Sequence, residues 1–585
     1  MAKIRIEDAV KTHRRDQDKT RSPEKTVEDF FNRIAGINQK IFDRVERVDT
    51  GRLGIPVYFS MYGPDARRLT GIRKQMGKGG FDAQARASAV MELVERYSFY
   101  AFRSRAENFI TGTHEELQDQ ALPLWEIARS VNDESDEAED ALAFFAQTPQ
   151  RWCRATDFAN DREVLVPFDW FFLINEFNGT SAGNCVAEAL CQGFCEVVER
   201  HVSALSGVDG VPVPGISRAG ITDPVALDLL SRYDKAGILT YLSDFTCGMG
   251  IPTVGALCYD PATMGKKSEI VWTAGTSPDP QKALNRALTE VAQLAGDFES
   301  GTVYVASGLP KPASLSEVAA ILSPASFAQI KDLPDLSDEN MAVEAQRLIS
   351  ALSGRGFFPY VVDTTHPEIG LPTFYTLVPG TRFRERSQTR SVALFLARLI
   401  VDNGEPSAAL KVLLRMRERM APRHYLDFAV GRSLLALSDL DQARAAFASA
   451  LTLSPSAEDE ATIYVYTAIC DKESGEFADA LESLRRAEAL DKERTDVFNL
   501  MGFCHYSLGR YEEAIECFQK VLALDPGSAI DYANIGSNYR NLGDQKKAIE
   551  YYRKALALDP GIGFAKKNLI TLLMEEEEKS QREGA

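Results

Sequence analysis

Apolar side chains recur at helical spacing between charged ones in two stretches of nearly the same pattern. The stretches are Ser88–Arg96, with the sequence SAVMELVER, and Gln192–Arg200, with the sequence QGFCEVVER. On a helix, positions i, i+4, i+7 and i+8 lie on one face, so each stretch groups two glutamates and an arginine and turns its apolar residues towards a core. Because neighbouring like charges disfavour a helix, two such faces predict that something cationic lies between them. The alternative is a solvated face of Glu and Arg with i,i+4 pairs.

A third stretch repeats the spacing. Arg286, Glu290 and Gln293 occupy i, i+4 and i+7 in a segment that follows Ser277-Pro278-Asp279-Pro280. A capping side chain followed by a proline in the first turn marks the start of a helix. The three helices are therefore predicted to form the walls of one cage.

Up to about residue 388, short β-branched or aromatic runs alternate with amphipathic stretches, which predicts an α/β (α+β) domain. Residues 1–48 are predicted to form a helical lead-in, with the helix itself beginning at the Ser22-Pro23 cap signal. The acidic segment 132–140 is predicted to be a solvated surface. A further helix is expected at 339–353, and strands at 55–60, 165–172, 253–258, 270–275, 357–363 and 370–380.

Two turns lead into the first two charged helices. The first is Gly77-Lys78-Gly79-Gly80, after which Asp82 is expected to be the helix N-cap. A glycine-rich turn with a lysine at a helix N-terminus suits anions, because free N–H groups point outward there. It is not the Walker pattern, which requires G-x-x-x-x-G-K-[ST]. The second turn, 178–184, is rich in residues that tolerate positive φ.

From about residue 390 the sequence follows a period of 34 residues. Small, aromatic and proline positions recur, first as Gly502, Gly509, Ala514, Phe518 and Pro526, and then as Gly536, Gly543, Ala548, Tyr552 and Pro560. This is the tetratricopeptide (TPR) pattern, in which small residues let two helices cross closely. We predict an all-α solenoid of about five TPR repeats over 389–573, followed by a disordered acidic tail at 574–585. Partner binding is the expected role, and a structural or dimerisation arm is the alternative.

The composition narrows the class of protein. A chain of 585 residues is expected to hold two to four domains, and its net charge of −18 argues against nucleic-acid binding. No apolar run reaches the length of a membrane span, and the N-terminus has no apolar signal region, so a cytoplasmic protein is expected. Cys185, Cys191 and Cys195 cluster on a predicted amphipathic helix and are interpreted as core residues, not metal ligands.

The charged helices indicate a type of chemistry. Carboxylates that no lysine or arginine fully balances repel one another unless divalent cations lie among them, and oxygen ligands without His or Cys favour Mg²⁺. Arginines nearby bind phosphate oxygens bidentately. The residues thus favour a Mg²⁺–nucleotide site for phosphoryl transfer. The alternative is a carboxylate-bridged di-metal hydrolase. A di-iron bundle would need Glu-x-x-His pairs, and none of the six histidines sits in one.

These motifs, in this order, resemble the YcaO family over residues 22–388. The resemblance rests on Gly77-Lys78-Gly79, the two E-x-x-E-R stretches, 178–184 with Glu188, the third charged helix and the closing Val378-Pro379-Gly380. It implies that 49–388 is an ATP-binding catalytic domain that activates a peptide-backbone amide by phosphorylation. A nucleophile then replaces the oxygen: a Cys, Ser or Thr side chain gives an azoline, sulfide a thioamide, and an amine an amidine.

The resemblance also implies roles for individual residues. The expected Mg²⁺ ligands are Glu92, Glu95, Glu188, Glu196, Glu199 and Glu290. The expected nucleotide-binding residues are Lys78, Ser88, Arg96, Ser181, Asn184, Gln192, Arg200, Arg286 and Gln293. No residue is assigned as the general base.

The chain departs from the azoline-forming members in one respect. They typically end in a proline-rich tail that reaches the active site and work with an E1-like partner, whereas here the domain runs directly into repeats. Thioamidation, which usually requires a TfuA-like partner, is therefore favoured over cyclodehydration, with the repeats recruiting the partner or the substrate. The other hypothesis is a nucleotide-binding TPR scaffold without amide-modifying activity. The substrate is not identified, and a homodimer remains open.

Overall fold

Each of the three helices with charged faces follows a strand after a loop of three residues in the computed structural model. The structure describes residues 3–583 except 50, 208–209, 263, 265–269, 295–311, 313 and 385–388. Two units are resolved, Met1–Phe395 and Leu396–Ala585. The expected end of the front domain, residue 388, lies outside the described residues.

The strands all belong to the first unit. They are β1 His13–Arg14, β2 Asp18–Lys19, β3 Phe42–Arg47, β4 Val57–Tyr62, β5 Lys74–Lys78, β6 Ile110–Gly112, β7 Gln150–Asp157, β8 Arg162–Pro167, β9 Thr180–Ala182, β10 Gly215–Ser217, β11 Leu239–Asp244, β12 Thr253–Tyr259, β13 Val271–Thr276, β14 Phe327–Gln329, β15 Tyr360–Asp363 and β16 Thr373–Leu377.

The helices occur in both units. Those that begin in the first unit are α1 Pro23–Ile34, α2 Pro64–Thr70, α3 Asp82–Ser104, α4 His114–Leu117, α5 Leu124–Ser130, α6 Ala138–Gln147, α7 Phe168–Asn175, α8 Val186–Gly207, α9 Pro224–Lys235, α10 Pro280–Leu294, α11 Ala319–Leu322, α12 Met341–Ser353 and α13 Val392–Asn403. The second unit continues with α14 Pro406–Arg419, α15 His424–Ala436, α16 Leu440–Leu451, α17 Ala457–Glu473, α18 Phe477–Leu490, α19 Thr495–Ser507, α20 Tyr511–Leu524, α21 Ala529–Asn541, α22 Gln545–Leu558 and α23 Gly563–Glu583.

The strands form three sheets and one hairpin. A five-stranded sheet has the order β13-β12-β11-β10-β14, a six-stranded one β6-β7-β15-β16-β9 with β8 beside β7, and a three-stranded one β3-β4-β5. Pairing is antiparallel except between β10 and β14. Helices α9 and α10 cover one face of the five-stranded sheet with a buried cluster that includes Leu229, Ala287 and Val254. The result is the expected α/β domain.

Glycines bring each charged helix close to its strand. A Cβ on Gly77 in β5 would lie 1.9 Å from the Ala89 nitrogen of α3, and one on Gly275 in β13 would lie 2.3 Å from the Ala283 oxygen of α10. Side chains at these positions would push strand and helix apart. The close contact between strand and helix therefore determines where each charged face lies relative to its strand.

Several predicted elements are wrong in detail. The lead-in is not purely helical, because β1 and β2 form a hairpin and Phe42–Arg47 joins a sheet. The strand expected at 165–172 ends at Pro167, after which Phe168–Asn175 is a helix. Asp82 is the first helical residue, not the cap; Phe81 is the N-cap, and Asp82 accepts a hydrogen bond from the Tyr58 hydroxyl at 2.7 Å.

The second unit is built from helix pairs of the TPR type. Within the repeats, the aromatic position of one helix fills the space left by the glycine of its partner. A Cβ on Gly431 would lie 2.4 Å from the Phe447 ring, and one on Gly502 would lie 2.6 Å from the Phe518 ring. This is the close crossing that the period predicted.

The tail is not disordered as expected, since α23 continues to Glu583. Glutamate has a high helix propensity, so the run of four glutamates at 575–578 extends a helix that is already formed. In the described part of the chain, no helix is both long and apolar enough to cross a membrane.

Candidate functional site

The three strand–helix units surround one cavity of about 240 Å³. Fourteen of the fifteen predicted site residues line it: Lys78, Ser88, Glu92, Glu95, Arg96, Asn184, Glu188, Gln192, Glu196, Glu199, Arg200, Arg286, Glu290 and Gln293. Ser181 is the exception. It is fully buried in β9, and its hydroxyl would be 2.9 Å from a Cβ placed on Gly193 of α8, so it lies in the wall behind the cavity.

The carboxylates of the cavity are paired with cations of the chain itself. Within a helix, Arg96 is 3.8 Å from Glu92 and 3.5 Å from Glu95, and Arg200 is 3.9 Å from Glu196. Most of these distances exceed that of a hydrogen bond, so the pairs are loose.

Other pairs join different strand–helix units of the cavity. Arg286 of α10 lies 3.8 Å from Glu199 of α8, and Lys78 of β5 pairs with Glu290 of α10. Among the described residues, no three His, Cys, Asp or Glu side chains converge as a metal site. Six cations line the cavity together with seven carboxylates, Asp16 and the six glutamates, so the chain's own cations nearly balance the carboxylates but do not do so fully.

Hydrogen bonds fix the orientation of several of these groups. The Thr180 hydroxyl contacts both Glu95, at 2.6 Å, and Arg96, at 2.9 Å. The Thr276 backbone N–H donates to Glu199 at 2.9 Å, which ties the carboxylate to the end of β13. Arg286 donates to Gln192 at 2.7 Å. Acid, amide and guanidinium groups are thus held in place before any ligand arrives.

Two arginine donors remain for a ligand. The Nε groups of Arg200 and Arg286 are buried and make no hydrogen bond to any part of the chain that the structure describes. A buried N–H without an acceptor is unfavourable, and phosphate oxygens are the acceptors that guanidinium groups match best. With oxygen donors from the glutamates beside them, these residues fit a nucleotide and Mg²⁺.

Burial in the cavity favours the uncharged forms of several ionisable groups and shifts their pKa values accordingly. It raises the pKa of Glu196 to about 7, and it also raises the pKa values of Glu92 and Glu95, against the opposing effect of Arg96. It lowers the pKa of Lys78 to about 7. Because burial stabilises these charges poorly, a divalent cation in the cavity would be favourable. It would replace the protons on the glutamates and the charge of Lys78 as the counter-charge.

Sequence reasoning missed one wall of the cavity. The N-terminal segment contributes Asp16, Gln17, Lys19, Arg21 and Thr26. Its two strands have two residues each and no apolar alternation, so hydrophobic periodicity gives no signal for them. The only signal is the mixture of acidic and basic residues across His13–Arg21, which suits a polar hairpin as well as a helix.

Comparisons with known proteins agree with both units. The family described as YcaO cyclodehydratase, ATP- and Mg²⁺-binding, matches residues 76–382. A TPR domain of the cytochrome c-type biogenesis protein H type matches 408–529, and a tetratricopeptide repeat matches 532–562.

Three individual proteins illustrate the likeness. An uncharacterised protein of Methanothermobacter thermautotrophicus is 28% identical over 378 residues, 61% of this chain and 93% of that protein. An uncharacterised protein in the tfuA 3′ region of Rhizobium leguminosarum bv. trifolii is 27% identical over 291 residues, 46% of this chain and 65% of that protein. The structure of YcaO from Methanopyrus kandleri bound with AMPPCP and Mg²⁺ is similar in fold, with a TM-score of 0.50 at 23% identity, covering 66% of this chain and 97% of that one.

Proposed function

We propose, from the premise that this chain belongs to the YcaO family, that its first unit activates a backbone amide of a peptide or protein by phosphorylation. The family is an ATP- and Mg²⁺-binding one, so ATP and Mg²⁺ are the cofactors and the chain is an ATP-dependent peptide-modifying enzyme. The observation that carries the proposal is the convergence of three charged helices, which the family match contains, on one cavity.

The roles of the site residues follow from their charge and position. Glu92, Glu95, Glu196, Glu199 and Glu290 would hold Mg²⁺, because their carboxylates line the cavity and can exchange a loose arginine or lysine partner for a metal. The buried Nε groups of the two arginines, together with Lys78, Ser88, Arg96, Asn184, Gln192 and Gln293, would hold the nucleotide. Ser181, buried in the wall of the cavity, would act only by shaping that wall.

The chain's contribution to the reaction is orientation and charge. When bound, ATP supplies the phosphoryl group that makes an amide oxygen a leaving group. Arg200 and Arg286 would compensate negative charge, and Gln192 holds Arg286 in place before the reaction. Burial raises the pKa of Glu196 to about 7 while no metal is bound, so this carboxyl would release a proton on binding Mg²⁺.

Thioamidation is the favoured outcome within this reaction class. The relative in the tfuA 3′ region is the support for it, since a TfuA-like protein is the partner expected for sulfur incorporation. Cyclodehydration with an E1-like partner is the second candidate, because the family description names a cyclodehydratase. The repeats would recruit the substrate or the partner protein, and the cytoplasm is the proposed compartment, since all nine cysteines are unpaired.

Substitution of Glu199 tests the active site. Glu199→Gln keeps the size of the side chain but removes a charge from the cavity. We expect Mg²⁺-dependent ATP turnover to fall roughly a hundredfold, the loss seen when one group that stabilises transition-state charge is removed. The matched control is Glu139→Gln at an exposed position of α6. Unchanged turnover in Glu199→Gln, with the circular dichroism spectrum retained, would refute the assignment.

Mass spectrometry distinguishes the products. A candidate peptide incubated with ATP, Mg²⁺, sulfide and the TfuA-like protein should exchange one oxygen for sulfur, whereas cyclodehydration removes one water. A stable complex with the peptide and no mass change would favour a nucleotide-binding TPR scaffold over an enzyme.

A further inference from the structure

Glu188 of α8 was expected to be a Mg²⁺ ligand, but both of its oxygens are already engaged. Its side chain is only 3% exposed and lies 3.2 Å from the ammonium of Lys19. Thr20 donates to Oε2 through its backbone N–H at 3.3 Å and its hydroxyl at 3.1 Å. Asn184 donates to Oε1 at 2.9 Å and to Oε2 at 3.2 Å. These contacts leave little room for a metal. Of the other five glutamates, Glu95 and Glu199 each accept one hydrogen bond beside a loose arginine, and Glu92, Glu196 and Glu290 have only an arginine or lysine partner.

Two partners of Glu188, Lys19 and Thr20, lie at the end of the N-terminal hairpin β1–β2, and all three strand–helix units contact this hairpin. Gly80, in the loop before α3, donates its N–H to the Asp16 carboxylate at 2.5 Å. On the α10 side, Asn285 donates to the Asp16 carbonyl at 3.2 Å and Lys282 to the Arg15 carbonyl at 2.8 Å. Glu188 is the attachment that α8 provides.

The far side of the hairpin is fixed by a buried charge cluster. Lys11, with 3% of its side chain exposed, donates to Asp18 of β2 at 2.7 Å and to Glu344 of α12 at 2.5 Å. Asp18 and Lys19 are neighbours on a strand, so their side chains point to opposite faces. Asp18 thus anchors the face of the hairpin that points away from the cavity, and Lys19 lies on the face that lines the cavity.

We propose that Glu188 is a positioning residue, which fastens the N-terminal hairpin over the nucleotide cavity, and that it is not a Mg²⁺ ligand. The wall it secures includes Asp16, Gln17, Lys19 and Arg21, all upstream of the family match at 76–382. The nature of the cavity's ligand rests on the proposed function, but the attachment itself does not.

The electrostatics agree with this role. Burial alone would raise the pKa of the Glu188 carboxyl, but Lys19, Asn184 and Thr20 outweigh it, and the pKa is lowered. Glu92, Glu95 and Glu196, which lack such a set of donors, have raised pKa values. Glu188 therefore stays charged for the hairpin in the absence of metal.

Hydrogen exchange on the full chain without nucleotide tests the attachment. Glu188→Gln loses the charge that pairs with Lys19 and places an amide against the amide of Asn184; Lys19→Met removes the other partner. We expect each variant to speed exchange in a peptide covering 12–26 about tenfold, as the loss of one charged hydrogen bond in a local opening predicts. The double variant should add little to either single change, because both remove the same contact. Lys40→Met, at an exposed position, is the control.

A Mg²⁺ titration with AMPPCP separates the two roles. If Glu188 is a positioning residue, Glu188→Gln and Lys19→Met weaken AMPPCP binding alike and leave the Mg²⁺ midpoint unchanged. If Glu188→Gln instead raises the Mg²⁺ midpoint by at least about tenfold and leaves hairpin exchange unchanged, Glu188 is a metal ligand and the proposal is wrong. If AMPPCP binds neither to the variants nor to the parent chain, the proposed function fails. The hydrogen-exchange result still decides whether Glu188 attaches the hairpin.

Discussion

Glu126 is a carboxyl whose environment makes stability depend on pH. It lies in α5, outside the cavity, with none of its side chain exposed and with Arg129 at 3.6 Å. The Tyr360 hydroxyl donates to it at 3.0 Å. Burial raises its pKa from 4.5 to about 7, so the folded chain keeps a proton there that the unfolded chain loses. Its contribution to stability is therefore complete below pH 4.5 and lost as the pH rises to about 7.

Glu126→Gln should remove this dependence, because an amide has no proton to lose. Between the unfolded and folded pKa values, the parent chain should lose up to about 1.4 kcal/mol of unfolding free energy per pH unit relative to the variant. Urea unfolding at a series of pH values measures the difference. Glu163→Gln at an exposed position should run parallel to the parent. Parallel curves for Glu126→Gln as well would mean that the carboxyl is not protonated in the fold.

The residues of the site were predictable where spacing on a helix determines their position. Glu92 and Glu199 face the cavity because the i, i+4, i+7 pattern places them there, whatever the rest of the fold does. Ser181 does not line the cavity, because a strand residue five positions before a helix can point either way, and it points into the wall. The contacts of Glu188 could not be foreseen, since they come from a hairpin 168 residues away in sequence.

At the scale of elements, the approach of β5 to α3 determines where Lys78 lies. A methyl group on Gly77 would be 1.9 Å from the Ala89 nitrogen and 2.5 Å from the Ala85 oxygen, both backbone atoms that cannot rotate away. We expect Gly77→Ala to separate strand from helix, to cost about 1–3 kcal/mol as overpacking does, and to weaken nucleotide binding. Thermal unfolding and AMPPCP titration measure the two effects.

Gly36→Ala is the matched control for Gly77→Ala. A Cβ at Gly36 meets nothing within 4 Å, so stability and binding should stay close to those of the parent. Equal effects of the two substitutions would show that lost chain flexibility, and not the strand–helix contact, is responsible.

Elements were predictable where their period was unambiguous. The starts of the three charged helices, and the strand expected at 253–258, agree with the structure to within about two residues. Phe168–Asn175 was not, because a run that is apolar on every side has neither a helical nor a strand period, and burial of α7 by its aromatic neighbours decides the outcome. The hairpin was missed for the opposite reason: it is held by polar contacts, which leave no apolar pattern in the sequence.

At the scale of the whole molecule, each unit has its own apolar core. In the first unit, buried clusters join the sheets to α8, α9, α10 and α12. In the second, they join successive repeats, through residues such as Leu484, Phe498 and Tyr552. The two-unit organisation was predictable, because the change of period near residue 390 coincides with the change from sheet-based to helix-pair packing.

Separate cores predict that a cofactor stabilises only the unit that binds it. AMPPCP with Mg²⁺ at about one hundred times its dissociation constant should add about 2.7 kcal/mol to the unfolding free energy of Met1–Phe395, because binding to the native state alone shifts its equilibrium. Leu396–Ala585 should be unaffected, since all of the proposed ligand-binding residues belong to the first unit.

Differential scanning calorimetry of the full chain should therefore show one transition that rises by a few degrees and a second that does not move. Hydrogen exchange during heating assigns each transition to its unit. Glu199→Gln serves as the control that should reduce the shift. A single transition that moves as a whole would instead mean that the two units unfold cooperatively, so that nucleotide bound in the first unit also stabilises the repeats.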